Sequence, residues 1–135
     1  MKFGKTLTAA QYGPWQDLYI PYKDLKRILK TSAVDPAVFA EAEGTFMTQL
    51  LRSVRAVDDF FGCQVTGLRD RVASLRRSCA EAERALPLSQ VSTEVELVAE
   101  GVEWLRRYVL LNKQAVHKIL KKHDKTSSIA LSSSL

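Results

Sequence analysis

From about residue 36 to 85 the apolar residues Phe39, Phe46, Leu50, Val54, Val57, Phe61, Leu68, Val72, Leu75 and Cys79 return at intervals of three and four, the spacing of one face of an α-helix. A second stretch, from about 93 to 125, sets Val102, Leu105, Val109, Val116 and Leu120 on one stripe. Neither helix can bury its apolar face alone, so the two are expected to pack antiparallel across the connection "LPLSQVST", with Ser92 or Thr93 as the cap of the second. Gly44, Gly62 and Gly67 interrupt the first helix. Each costs about 1 kcal/mol against alanine, so a kink or a close helix contact is expected near 62–67. No run alternates as a half-buried strand does, and the fold class is all-α.

The first 30 residues add two short helices. Pro14 suits the first turn of "PWQDLYI", because proline's missing N–H is no loss there. Pro21 restarts the count, and "PYKDLKRILK" sets Leu25, Ile28 and Leu29 against Lys23, Lys26 and Lys30. "TSAVDP" reads as a break, with Asp35 as N-cap and Pro36 at the first position of the long helix. The two short helices should form a hairpin packed on a bundle built around the two long ones. The last ten residues, 126–135, are small and polar, read as a C-terminal tail, a linker or the start of a truncated further helix.

A chain of 135 residues fits one domain with one core. Runs such as "YVLL" fall far short of the roughly 20 apolar residues that cross a bilayer, and "MKFGKTLTAAQ" lacks the core of a signal peptide. The expected location is the cytoplasm, or the cytosolic face of a vacuolar or other membrane through a parent protein, with no membrane insertion by this domain. Cys63 and Cys79 have no partner at metal-ligand spacing and read as reduced core or boundary residues, so no metal is expected. His117 and His123, the only histidines, fall on different helix faces and read as surface residues. No nucleophile–base pair, phosphate loop or paired-cysteine motif appears, so no catalytic residue is assigned and any catalysis would lie in other domains.

The net charge of +5 is unevenly spread. Residues 1–30 hold six Lys/Arg against two Asp, and residues 113–125 hold five Lys against one Asp, a net +4 in each. The remainder holds nine Arg against twelve acids, a net −3. All ten lysines lie in the two end segments. Lysine is a compact charge on a flexible stem, suited to meeting phosphate from several directions. In "KILKKHDK", Lys118, Lys121, Lys122 and Lys125 follow i, i+3, i+4, i+7 and project from one strip of the helix. Like charges so spaced repel by a few tenths of a kcal/mol per pair. On its own the strip fits a solvated basic helix end equally well. A second lysine-bearing helix beginning at Pro21, with Tyr22 and Lys26 one turn apart, shifts the balance towards a composite anion site.

"MKFGKTL" at the start, "W…YIPYKDLKRIL" from Trp15 to Leu29, "FF" at 60–61 and "KILKKHDK" at 118–125 together resemble the SPX domain over residues 1–125. The opening block is most similar to SPX domains of vacuolar transporter chaperone subunits, part of a polyphosphate polymerase complex. The resemblance implies a phosphate-status sensor of eukaryotes that binds inositol polyphosphates and pyrophosphates, inositol hexakisphosphate among them, and needs no cofactor. It implies that Tyr22, Lys26 and Lys122 grip one phosphate, that Lys118, Lys121 and Lys125 form the lysine surface receiving the others, and that Lys2, Lys23 and Lys30 are possible additional contacts. Occupancy would be relayed to an effector domain or partner protein in polyphosphate synthesis, phosphate transport or phosphate signalling. SPX domains usually continue past "KKHDK", so a final bundle helix is expected to be absent or abbreviated.

Nucleic-acid binding would interleave arginines and exposed aromatics with the basic strip, and "KILKKHDK" has neither. A membrane-surface helix would need the apolar face that the bundle uses. The main alternative is a helical protein–protein adaptor whose basic surface binds polyanions without preference.

Overall fold

The computed structural model describes residues 2–34, 36–81 and 87–134. Four α-helices follow in order: α1 Phe3–Ala10, α2 Tyr22–Val34, α3 Phe39–Ala80 and α4 Leu88–Ser134. Short 3₁₀ turns occupy Gly13–Leu18 and Pro36–Val38. Among the described residues there is no strand, and the fold is all-α. At 42 and 47 residues, α3 and α4 are about 63 and 70 Å long. They run antiparallel, Glu43 meeting His123 near one end and Arg71 meeting Glu94 near the other.

The core lies at the end where α1 and α2 cover the long pair. Leu25 and Leu29 of α2, Phe46 and Leu50 of α3, and Leu105, Tyr108, Ala115 and Ile119 of α4 are buried together. Beside them Tyr108 meets Trp15, Tyr19 and Phe60 edge-on. Burial, reinforced by Tyr19, pushes the Tyr108 phenol up to about 12, and its hydroxyl donates to the carbonyl of Leu18 at 2.7 Å. Asn112, also buried, accepts from the Ile20 N–H and donates to the Tyr108 carbonyl, both at 2.8 Å. These bonds tie the chain entering α2 to α4, since buried polar groups are costly unless paired.

Several expectations are corrected. The first arm of the hairpin is α1, and "PWQDLYI" supplies only a 3₁₀ turn with Pro14 in its first turn. Tyr19 is already extended, at φ −88° and ψ 162°. Helix α2 runs through "TSAV" to Val34, and Pro36 opens a 3₁₀ turn rather than α3; the proposed cap Asp35 lies outside the described residues. Helix α4 starts at Leu88, where the Pro87 carbonyl accepts from Gln90 and Val91, so Ser92 and Thr93 are inside it and cap nothing. It continues through 126–134. The buried stripe of α4 is Leu105, Tyr108, Asn112, Ala115 and Ile119, leaving Val102, Val109 and Leu120 exposed. Val102, Val109, Phe61 and Val72 instead line an apolar groove of about 730 Å³ between the long helices. Gly62 and Gly67 face open space; the close approach is at Gly101, where a Cβ would come within 3.0 Å of Leu68 Cδ2. Both cysteines are free and exposed rather than in the core.

Candidate functional site

Pro21 disfavours a helical residue before it and its carbonyl accepts from the Leu25 N–H, so α2 begins at Tyr22, beside the start of α1. Tyr22 is buried and meets the Phe3 ring edge-on at 5.0 Å. Lys26 follows one turn later. On α4, the fully buried Ala115 and Ile119 face the core, which turns the lysine strip towards α2 and the start of α1. Lys118 Nζ lies 6.0 Å over the Phe3 ring. The result is an open cavity of about 440 Å³ lined by Lys2, Phe3, Gly4, Tyr22, Lys26, Lys118, Lys121, Lys122 and Lys125.

Six of those nine residues are lysines and none is acidic. The Lys122 ammonium beside Lys26 is the main cause holding Lys26 below the ordinary lysine pKa, with partial burial, Lys30 and Lys2 adding to it. Burial alone raises the Tyr22 phenol. Asp24 and Asp124, on the same two helices, are engaged elsewhere, Asp24 with Arg27 at 3.5 Å and Asp124 with His123 at 3.2 Å. Such a surface is repelled by itself and relieved by a dense anion.

All six residues proposed for the phosphate cluster and lysine surface line this cavity, and so does Lys2. Lys23 and Lys30 do not. They line an adjoining cavity of about 310 Å³ with Lys2, Gly4, Lys5, Tyr22, Lys26 and Arg27. Lys5 and Arg27 were not singled out by the sequence, although Lys2/Lys5 and Lys23/Arg27 are spaced to share helix faces.

His123 is the residue that sequence reasoning misplaced. Its side chain is only 15% exposed, stacks on Phe46 at 5.0 Å with the rings 8° apart, and sets Nε2 at 2.6 and 2.8 Å from the two oxygens of Glu43. Position 123 continues the stripe through Ile119, and that periodicity was the available signal. Burial opposes the charged ring, yet the hydrogen bonds to Glu43 and Asp124 prevail and raise its pKa. A raised folded-state pKa gives stability that is fully present below the unfolded value, about 6.5, and is lost as pH climbs through the folded value. Thermal melts between pH 5.5 and 8.5 should show that decline in the unsubstituted protein and a flatter profile in His123→Ala; equal slopes would contradict it.

Among the described residues no helix is long and apolar enough to cross a membrane, and no group of three or more His, Cys, Asp or Glu side chains is placed to hold a metal.

No protein-family model matches the chain. It is 32% identical, over 97% of its length, to SPX domain-containing protein 6 of rice (Oryza sativa subsp. japonica), covering 56% of that protein. It is 28% identical over 93% of its length to vacuolar transporter chaperone complex subunit 2 of Schizosaccharomyces pombe, covering 18% of it. A glycerophosphocholine phosphodiesterase of Candida albicans is 28% identical over 98% of the chain, which covers 13% of that enzyme. The chain thus spans little more than half of the first of these relatives and a small part of the others. The SPX domain of Chaetomium thermophilum glycerophosphodiester phosphodiesterase 1, solved in complex with inositol hexakisphosphate, matches with a TM-score of 0.79 at 26% identity, over 93% of this chain and 76% of that one. Similarity of fold, and of sequence over nearly the whole length, leads to one conclusion: the chain fits an SPX domain.

Proposed function

We propose that this domain senses phosphate status by seating inositol polyphosphates and inositol pyrophosphates in the six-lysine cavity. The carrying observation is that cavity itself, with lysines from α4, α2 and the residue before α1, a tyrosine at its wall and no acid in its lining. Tyr22, Lys26 and Lys122 grip one phosphate, the hydroxyl donating while the two ammonium groups share the charge. Lys118, Lys121 and Lys125 take neighbouring phosphates, and Lys2 closes the rim. Lys23 and Lys30, across Lys26, act at longer range. The C. thermophilum SPX domain solved with inositol hexakisphosphate supports this assignment of ligand class.

Binding removes the repulsion between Lys26 and Lys122, so affinity rises steeply with ligand charge. Lysines impose little geometry, and selectivity among isomers should be weaker than a bidentate arginine fork would give. Because α1, α2 and α4 all contribute, occupancy fixes these helices relative to one another. An attached or partner effector that contacts them reads that change through its different affinity for the two states. Vacuolar transporter chaperone subunits among the relatives favour an effector in polyphosphate metabolism at a vacuolar membrane.

Calorimetric titration with inositol hexakisphosphate, alongside orthophosphate and sulfate at matched ionic strength, tests the proposal. The expected result is micromolar or tighter binding of the inositol phosphate, weakening as salt rises, with the simple anions silent. Equal, weak, salt-erased heats for all three would overturn it in favour of a helical adaptor with a non-selective basic surface.

A further inference from the structure

Helix α4 packs against both α2 and α3, and its neighbours Lys122 and His123 point about 100° apart around the helix. One faces the lysine cavity and the other faces α3, so the rotation of α4 that sets one also sets the other. On the cavity side nothing negative holds Lys122 in place, since no lining residue is acidic and Lys26 is close enough to repel it. His123, by contrast, is held by both Glu43 oxygens, by the Phe46 ring beneath it, by Asp124 at Nδ1 and by the Ser127 hydroxyl 3.4 Å from Nε2. The Glu43 contact joins residues 80 positions apart, and Phe46 is fully buried.

We propose that Glu43, acting through His123, is a positioning residue that braces α4 from the α3 side and so keeps Lys122 facing Tyr22 and Lys26 against the repulsion among the lysines. This rests on the reading of the cavity as an inositol polyphosphate seat. It differs in sign from electrostatics alone. Removing an acid near a basic site makes the local potential more positive and should tighten polyanion binding, whereas removing a brace should weaken it.

The test is titration of the whole chain with inositol hexakisphosphate at a temperature where circular dichroism shows each variant folded. Glu43→Ala should weaken binding about five- to tenfold. Glu43→Gln, which keeps an acceptor for the imidazole N–H, should weaken it less, about two- to threefold. In a Lys122→Ala background the effect of Glu43→Ala should shrink below about twofold, because the brace acts through that lysine. Unchanged or tighter binding by Glu43→Ala would overturn the proposal, as would an undiminished loss in the Lys122→Ala background. If Glu43→Ala does not fold, Glu43→Gln carries the same test of sign. Absence of binding by the unsubstituted protein would overturn the ligand reading itself, an outcome separate from a bound ligand that is indifferent to Glu43.

Discussion

Replacing Lys122 by alanine lowers affinity for inositol hexakisphosphate by about 10- to 100-fold, while replacing Lys113, which carries the same formal charge, changes it less than about threefold. The first figure follows from the roughly 1.5–3 kcal/mol of a hydrogen bond to a charged group, at 1.4 kcal/mol per factor of ten. The control decides between two accounts of a basic protein binding a polyanion. Lys113 lies on the same helix but outside the lysine cavity, lining an apolar recess with Ile20, Val54 and Val116. If net charge alone governed binding, the two substitutions would have similar effects. A local seat predicts a strong asymmetry, because Lys122 is half-buried and its ammonium lies close to that of Lys26. Lys122→Arg should restore only part of the affinity, since a planar fork does not replace a compact ammonium in a crowded corner. Matched losses for Lys122→Ala and Lys113→Ala in calorimetry would sink the local-seat account.

The cavity was legible before the structure because lysine at i, i+3, i+4, i+7 on an exposed helix face depends only on helix geometry. Tyr22 and Lys26 were legible for the same reason, as the first turn of a helix that Pro21 starts. What covers the long helices was less visible. The true stripe of α4 passes through Asn112 and Ala115, which hydropathy discounts, so Val102 and Val109 were assigned the buried role. Asn112 lies in the core because a carbonyl and an N–H of two other residues require it there, a tertiary demand that no local pattern records. Helix α1 was missed because "FGKTLTAA" contains a glycine and two β-branched threonines and buries only Leu7, leaving packing rather than propensity to decide it. His123 reads as a surface residue because it lies on a different helix face from His117 with no nucleophile or metal-ligand partner in reach, although its spacing from Ile119 places it on the buried side.

Phe46→Ala should be the most damaging single truncation in α3, costing about 3–5 kcal/mol from a total of order 5–15 kcal/mol. Its melting temperature should drop by roughly 10–20 °C. Phe61 provides the comparison within the same helix. It is as large and as apolar, yet 37% exposed where Phe46 is wholly buried, so Phe61→Ala should cost about 1 kcal/mol or less. Burial supplies most of the difference, and the stacking of Phe46 beneath His123 supplies a further part. That ring is also the floor on which the Glu43–His123 contact rests, so Phe46 links the core to the lysine cavity. In Phe46→Leu, which keeps most of the volume and removes the flat surface, stability should fall by less than about 1.5 kcal/mol. If His123 needs that surface, affinity for inositol hexakisphosphate in folded Phe46→Leu should fall in proportion beyond its stability loss. Thermal melts placing Phe46→Ala and Phe61→Ala within 1 kcal/mol of each other would show that the core is not centred where α2, α3 and α4 meet.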